Sequence, residues 1–276
     1  MCEVTICKSS NPLEYLSQID RNEADADFIC AVSGNGEDVY SILYQKLTVG
    51  LALLEGGRHA FLYVYIFPAY RRRGFGRAAA LLLEQNLDAR SSIDISTCYR
   101  TDDSIAYTFA KNCGYSKGFS SDYMVYSGPC FERETLPVRQ YRDQDYLEAH
   151  SLEAEAFHLM RLSTGFFPDS VPIPPSEEAR KYWADTAKDR LVYLDGEEII
   201  GFAHIQGNEI CAVSVKPGRQ GKGIGKRFLQ YIANMLIDSG RTSISLYCVV
   251  GNDRARRLYD HLGFIPVYRN NYAKRN

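Results

Sequence analysis

The amino-acid sequence contains an internal repeat that keeps one register without a gap. Residues 68–77 match residues 217–226, an offset of 149 residues (217 − 68), and the same offset relates Gly114-Tyr115 to Gly263-Phe264. Chance similarity would not hold a single register over this length. The chain has 276 residues, of which 45% are hydrophobic, and this is enough for two cores. The repeat therefore predicts two domains of one fold, over residues 1–131 and 132–276.

The second copy of the repeat has the pattern of a strand, a turn and a helix that opens on glycines. Glycine lets a ligand approach the backbone closely, and the unpaired amides of a helix N-terminus carry about half a positive charge. Lys222, Lys226 and Arg227 add positive charge at the same place. The segment is therefore suited to binding a pyrophosphate.

The spacing of the glycine-rich segment distinguishes between three known types of phosphate-binding motif. A P-loop needs glycine where Gln220 stands and Ser or Thr where Arg227 stands. A dinucleotide fingerprint needs its third glycine one residue later, and an acidic residue about twenty residues on. What remains is Gln-x-x-Gly-x-Gly at Gln220, Gly223 and Gly225. The structural alternative is an ordinary glycine-rich turn that opens a surface helix.

A second motif follows at residues 252–264. Ala255, Leu258, Tyr259 and Leu262 have the i, i+3, i+4, i+7 spacing of an apolar helix face. Asn252 is a good N-cap and Gly263 a good C-cap. Asn252 and Tyr259 are seven residues apart and so share a face; the alternative for Tyr259 is a place in the core.

Together the two motifs resemble the GNAT superfamily of acyl-CoA-dependent N-acyltransferases, in the tandem arrangement of mycothiol synthase-like proteins. The resemblance implies an α+β fold class, with two tandem GNAT folds, each a mixed, largely antiparallel sheet flanked by helices. It implies acetyl-CoA as co-substrate and no metal. In the second copy it assigns cofactor contacts to Val213, Val215, Gln220, Gly221, Lys222, Gly223, Ile224, Gly225, Lys226 and Asn252.

The resemblance also implies the catalytic groups. A lysine-like amine has a pKa of about 10.4, so only about one molecule in two thousand is neutral at pH 7 and a base is needed. Glu209 stands eleven residues before Gln220, as the catalytic glutamate does in the histone acetyltransferase branch. The alternative is a solvated strand-end carboxylate, with His204 and Glu198 as other candidates for the base. Tyr259 matches the family's general acid.

The first copy keeps the phosphate motif and changes the chemistry. At the same offset, Ala60 stands for Glu209 and Ala110 for Tyr259, while Asp103 replaces Asn252. The first domain is therefore predicted to be a degenerate copy. It either binds acyl-CoA without turnover or fills the pantetheine slot with Phe109 or Tyr107. Its predicted cofactor contacts are Val64, Ile66, Arg71, Arg72, Arg73, Gly74, Gly76 and Arg77.

Hydrophobic periodicity and turn residues predict the remaining elements. Predicted helices cover residues 12–21, 74–86, 103–113, 143–158 and 176–188. Predicted strands cover residues 2–7, 28–33, 40–44, 47–54, 60–67, 93–98, 136–141, 191–194, 198–205, 209–216, 242–249 and 264–272, with two further strands from Tyr115 and Ser121 onward. Prolines make residues 165–175 an exposed loop. In the GNAT family this region helps to shape the acceptor site, so Phe166, Phe167 and Trp183 are candidates to line it, or else belong to a packed connector.

Composition narrows the class of function. The net charge is −2 and no basic cluster alternates with aromatic residues, so a nucleic-acid partner is not indicated. No signal peptide or apolar run near twenty residues is visible, which favours a cytoplasmic protein without a membrane partner. Cys7, Cys30, Cys98, Cys211 and Cys248 lie in strand-like runs and are predicted to be buried thiols.

The leading hypothesis is an N-acetyltransferase that is active in its C-terminal domain and transfers acetyl from acetyl-CoA to a primary amine by direct attack. The alternative is a non-catalytic acyl-CoA-binding sensor or scaffold module. The identity of the amine and the oligomeric state are not encoded in any motif of the sequence.

Overall fold

The computed structural model describes residues 3–56, 59–88 and 94–275. Two compact units are present, one formed by Met1–Ser120 with Asn270–Asn276 and the other by Ser121–Arg269. The predicted domain boundary after residue 131 stays a prediction. The compact units divide the chain after Ser120 instead, and they assign Asn270–Asn276 to the first unit. Gly57 and Ile93, at the edges of a predicted turn and a predicted strand, lie outside the described residues, as does Cys2.

The first unit is a sheet with helices on both faces. α2 and α3 pack on one face and α1 on the other, and each face has its own buried apolar cluster. β1 to β4 pair antiparallel in sequence order, β4 and β5 pair parallel, and the last residues of β12 pair antiparallel with β5. Its elements are β1 (Thr5–Lys8), α1 (Ala26–Ser33), β2 (Val39–Tyr44), β3 (Leu47–Glu55), β4 (His59–Ile66), α2 (Phe75–Asp88), β5 (Asp94–Arg100), α3 (Ser104–Asn112) and the start of β6 (Tyr115–Tyr126).

The second unit repeats this plan. α6 and α7 cover one face of its sheet, and α4 and α5 cover the other. The strand order is β6-β11-β10-β9-β8-β7, in which only the β10–β11 pair is parallel among the pairings described. Its elements are β7 (Val138–Gln140), α4 (Tyr146–Thr164), α5 (Glu177–Asp185), β8 (Arg190–Asp195), β9 (Glu198–Gln206), β10 (Glu209–Val215), α6 (Ile224–Asp238), β11 (Ile244–Val249), α7 (Asp253–Leu262) and β12 (Ile265–Arg275).

The predicted strand over residues 28–33 is wrong, because these residues belong to helix α1. The side chain of Asp25 accepts a hydrogen bond from the amide of Asp27 and so caps the helix N-terminus. Phe28 and Val32, four residues apart, are both fully buried. A short apolar run has no clear period, and here the cap decides for helix.

Other local expectations also need correction. The predicted helix over residues 12–21 is a shorter 3₁₀ helix, Pro12–Gln18. The two strands expected from Tyr115 and Ser121 form one continuous strand, β6. Cys98 and Cys248 are buried as predicted, but Cys7, Cys30 and Cys211 are exposed. Cys30 lies in α1 and not in a strand, and Cys211 lies where the register of β10 against β9 shifts.

The first unit is formed by two segments that are far apart in the sequence. β6 contributes residues up to Ser120 to the first unit and the rest to the second, and Asn270 and the residues after it return to the first unit. There the amide of Asn270, which is buried, donates to the carboxylate of Asp25, and Arg275 pairs with the buried Glu84. The first unit therefore depends on the last residues of the chain. Among the described residues, no helix combines the length and apolar character needed to cross a bilayer.

Candidate functional site

The glycine-rich segment of the second unit forms a backbone cradle at the start of α6. Gly221 and Gly223 have φ angles of 80° and 78°, in the left-handed region that side chains disfavour. Gly223 is the N-cap of α6 and, as a glycine, has no side chain to cap that end. The amides of Ile224, Gly225 and Lys226 lie in the first turn, where an α-helix has no internal acceptors for them. The backbone is thus arranged to bind an anion.

Strand β10 leads into this cradle and is open along one edge. It pairs with β9 over its length, but in the part of the chain that the structure describes it pairs with β11 only where Glu209 faces Ser245. The amide of Lys216 donates to the carbonyl oxygen of Ile200 in β9. Because backbone groups alternate along a strand, Val213 and Val215 direct theirs away from β9. These two residues therefore offer backbone amides beyond the point where β10 and β11 separate.

Gln220 holds the end of β10 in place. Its amide nitrogen donates to the carbonyl oxygen of Val215 at 2.8 Å, and its amide oxygen accepts from Arg254 in α7. Asn252 uses its side-chain oxygen to accept the amide of Ala255, as an N-cap does. The structure thus gives both side chains a role in positioning, in addition to the cofactor contact that the resemblance implies.

Three elements meet at the cradle. A Cβ added to Gly225 would lie 3.6 Å from Val215 Cγ2 and 3.8 Å from Leu258 Cδ2, which joins α6, β10 and α7 at one place. Lys226 Nζ lies 3.1 Å from Nε2 of His261. Lys222 is exposed. The cradle segment thus carries two lysines, of which Lys226 contacts His261 and Lys222 is exposed.

Tyr259 lies on the inward face of α7. Its ring is 5.9 Å from that of Phe264, and it packs against the apolar cluster under α6 and α7. The residue is half-buried. Burial, and secondarily the nearby Cys248, raises the pKa of Tyr259 well above its ordinary value. No hydrogen bond to its hydroxyl is found within the described ranges of the chain.

The strand register places the candidate bases on one face of the sheet. Glu209 is opposite Gln206, and His204 is two residues from Gln206 on the same strand, so both share the face that carries Phe202. That face packs against α4 and α5. Burial and the neighbouring Arg190 lower the pKa of His204, which keeps its imidazole neutral at pH 7.

Glu198, the third candidate base, is paired with two cationic side chains. Its carboxylate accepts from Lys216 at 2.7 Å and from Arg219 at 2.6 Å, and these hydrogen bonds lower its pKa. A carboxylate that two cations stabilise is a poor proton acceptor. Of the three bases considered from sequence, Glu198 therefore has the environment least suited to the role.

The three aromatic residues predicted as candidates to line the acceptor site are packed to different degrees. Phe166 is buried, Phe167 is 37% exposed, and their rings are 5.3 Å apart. Trp183 is buried and stacks on Phe202, with ring centroids 4.7 Å apart and planes 5° apart. Trp183 is therefore a packed residue, whereas Phe167 is the one that reaches the surface.

The first unit builds the same cradle from different side chains. Arg72 and Gly74 have φ angles of 62° and 86°, at the offset positions of Gly221 and Gly223. Arg71 Nε donates to the carbonyl oxygen of Ile66 at 2.9 Å, as Gln220 does to Val215. A second nitrogen of Arg71 pairs with Glu23 at 2.7 Å. Arg71 is thus already paired with a carboxylate.

The space beside β4 is small. Val64, Tyr99, Phe109 and Ala110 are among the residues that line a cavity of about 60 Å³, far below the roughly 300 Å³ of the smallest usual ligand pockets. A Cβ added to Gly76 would lie 3.2 Å from the ring of Phe109. Phe109 therefore crowds the cradle where the second unit has Leu258. Tyr107 is 48% exposed and does not line this cavity. Of the other predicted contacts, Arg73 donates to the carbonyl oxygen of Ala69, and Arg77 is exposed.

Sequence patterns missed two charged residues of the second unit. Arg190 opens β8 and is 2% exposed, and Glu153 lies on the inner side of α4. Burial raises the pKa of Glu153, while the positive charges of Arg161 and Arg190 act in the opposite direction. A single arginine or glutamate has no spacing signal, so only the fold could bring these residues together.

Comparison with known proteins supports the assignment of the fold. Residues 156–264 match the model of the acetyltransferase (GNAT) family. The chain has a TM-score of 0.70 to a GCN5-related N-acetyltransferase from Sphaerobacter thermophilus, at 17% identity, covering 98% of this chain and 95% of that one. A tandem GNAT protein from the clavulanic acid biosynthesis pathway gives 0.66 at 14% identity, covering 99% and 98%. The predicted fold class is therefore confirmed.

Similarity to curated proteins is confined to short segments. A mycothiol acetyltransferase of Beutenbergia cavernae is 41% identical over 59 residues, which cover 21% of this chain and 20% of that protein. Another from Streptomyces scabiei is 36% identical over 89 residues, covering 30% and 29%. The matches thus span less than a third of the length of these relatives. Residues 156–264 thus match the GNAT family of acetyltransferases, and the whole chain has the fold of solved GNAT proteins.

Proposed function

We propose that the second unit transfers the acetyl group of acetyl-CoA to a primary amine. The observation that carries this proposal is the separation of β10 from β11 directly before the glycine cradle. An extended ligand with a pyrophosphate at one end fits such a site, because backbone amides of β10 and of the α6 N-terminus are open to it. Acetyl-CoA supplies an acetyl group activated as a thioester.

The residues of β10 and β9 suit the attack of an amine. Glu209, or His204 on the same face, accepts the proton that an ammonium group must lose before it can attack. Val213 and Val215 point backbone amides to the side from which β11 has separated, where they would stabilise a developing oxyanion. The chain thus offers a proton acceptor and amide donors from adjoining residues of one strand.

Tyr259 is proposed to act on the departing sulfur. Its raised pKa keeps the phenol protonated at neutral pH, which is the state that a donor needs. A thiol has a pKa of about 8.5, so full transfer of the phenolic proton to a thiolate is unfavourable in the resting protein. A hydrogen bond from Tyr259 to the sulfur, strengthened as negative charge develops, is therefore the larger part of its role.

The second function that deserves a test is binding of acyl-CoA without catalysis, as in a sensor or scaffold. The experiment is release of free thiol from acetyl-CoA in the presence of a panel of amines, with mass spectrometry of the products. An amine-dependent release with matching acetylated product supports transfer. Binding of acetyl-CoA by calorimetry without any amine-dependent release would leave the sensor as the better account.

A further inference from the structure

The second unit holds a buried arginine on the face where the amine is proposed to bind. Arg190 is 2% exposed, and its guanidinium lies over the rings of Trp183 and Tyr182, at 5.1 Å and 5.2 Å from their centroids. Its Nη1 donates to the backbone oxygen of Thr186 at 2.9 Å and also contacts the hydroxyl oxygen of that residue. One edge of the guanidinium is thus held by α5 and the residue that follows it.

The other edge of the guanidinium has no anionic partner. Arg190 Nε is buried and makes no hydrogen bond, and within the described ranges no carboxylate forms an ion pair with Arg190. The charge of Arg190 acts to lower the pKa of Glu153, but among the described residues the two side chains form no ion pair. Leaving a buried charge uncompensated is costly, so the Nε–Nη2 edge is suited to an incoming anion.

The strand register puts Arg190 on the same face of the sheet as the proposed bases. Arg190 faces His204 across β8 and β9, and His204 in turn faces Ala212 in β10. Glu209 lies on the same face of the sheet. On that face Ser214 is 1% exposed, and its hydroxyl oxygen has no hydrogen-bond partner among the residues that the structure describes. Arg161 Nε, at the end of α4, is likewise buried and unpartnered.

We propose that Arg190 binds a carboxylate of the acceptor, so that the substrate class is an amino carboxylate, such as an amino acid or a peptide-like compound, and not a simple amine. This inference rests on the proposed acetyl transfer. The Nε–H and one Nη2–H of a guanidinium are parallel donors that match the two oxygens of a carboxylate. Bound in this way, the carboxylate would orient the amine towards the face that carries Glu209 and His204.

A purely structural role for Arg190 is the competing account. The stacking on Trp183 and the bonds to Thr186 fix the end of α5, and this alone could explain a buried arginine. The two accounts differ in one respect. A structural arginine would not distinguish an acid from its uncharged amide, whereas a carboxylate-binding arginine would.

The test compares the common free amino acids with their carboxamides as acceptors in the thiol-release assay on the full chain. We expect kcat/KM to be about tenfold or more higher for the acid of at least one pair. Arg190→Lys keeps the charge but loses the two-donor edge, so it should raise the KM for that acid about tenfold. The KM for acetyl-CoA and the KM for the carboxamide should stay nearly constant. Arg241→Lys, at an exposed arginine, is the matched control.

Each outcome decides between the accounts. If carboxamides are acetylated as well as the acids, the carboxylate site is overturned while the proposed acetyl transfer stands. If no amine of either kind is acetylated, the proposed function itself fails, and this inference with it. If Arg190→Lys does not fold, as judged by far-UV circular dichroism, the acid–amide preference of the unaltered protein still decides.

Discussion

The two units share a backbone frame and differ in the side chains that surround it. Left-handed φ angles recur at residues 72 and 221 and at residues 74 and 223, each pair separated by the repeat offset. A hydrogen bond from a side chain to a carbonyl oxygen near the end of the preceding strand recurs as well, from Arg71 to Ile66 and from Gln220 to Val215. An arginine and a glutamine thus do the same structural work. Arg71 and Gln220, which open the motif in the two units, therefore both hold the end of the preceding strand in position.

The side chains show what the first unit has lost. Ala60 and Ala110 are buried at the positions of Glu209 and Tyr259, and Phe109 crowds Gly76 where Leu258 leaves Gly225 more room. Arg71 is paired with Glu23, so part of the first unit's positive charge is already compensated. The comparison teaches that a cradle by itself is not a site. The two units share the backbone cradle and differ in the residues beside it, with Ala60 and Ala110 in the first unit where the second has Glu209 and Tyr259.

The largest expected effect comes from a carboxylate in the cradle. Gly225→Glu should lower kcat/KM for acetyl-CoA about 10³-fold, because a like charge is placed beside the proposed phosphates. Gly225→Ala is the control for folding, since its Cβ makes only ordinary contacts. Gly76→Glu, the matched change in the first unit, must displace the ring of Phe109, and it should leave the rate of thiol release unchanged as long as far-UV circular dichroism shows that the variant is folded. A large loss of activity in Gly76→Glu would mean that the first unit takes part in turnover.

Calorimetry on Gly225→Glu then tests the first cradle. With the second cradle blocked, residual binding of acetyl-CoA near one equivalent would indicate a ligand site in the first unit. The small cavity and the crowding by Phe109 lead us to expect no such binding. Acetyl transfer that persists in this variant would contradict the assignment of catalysis to the second unit.

Removal of the Tyr259 hydroxyl should have the next largest effect. Tyr259→Phe should lower kcat by about 10²-fold, because a donor to the leaving sulfur acts in the transition state. The KM for acetyl-CoA should change little. Tyr107→Phe, on the exposed side of α3 in the first unit, is the control and should behave as the unaltered protein does. Equal rates for the Tyr259 and Tyr107 variants would remove Tyr259 from the mechanism.

The pH dependence of kcat/KM distinguishes Glu209 from His204 as the base. A base must be deprotonated, so kcat/KM falls as the pH drops through its pKa. Glu209→Gln should depress the rate about tenfold or more at neutral pH and abolish the acidic limb of the profile. An unchanged profile would favour His204. Burial lowers the pKa of His204, so its limb would lie below the pH of about 6.5 at which free histidine titrates.

The sequence predicted the cradle, the caps at Asn252 and Gly263 and most strands, because each depends on local spacing that one stretch of chain contains. It failed at α1, where a six-residue apolar run is compatible with helix or strand and the cap at Asp25 decides. It also could not predict the return of residues 270–276 to the first unit, or the buried Arg190. Both depend on contacts between residues far apart in the chain, which no local pattern records.

The smallest expected effect concerns backbone strain in the cradle. Arg72 adopts a φ of 62°, where the second unit has Gly221 at 80°, so the first unit tolerates a side chain in a left-handed position. That conformation costs roughly 1–2 kcal/mol for a residue with a Cβ, partly offset because the unfolded chain loses freedom when glycine is replaced. Gly221→Arg should therefore destabilise the second unit by about 1 kcal/mol. Because Trp183 lies in this unit, urea unfolding followed by its fluorescence reports the change. An unchanged midpoint, with the slope also unchanged, would show that the cradle holds its shape without needing glycine there, and that Gly221 gives ligand access more than it relieves strain.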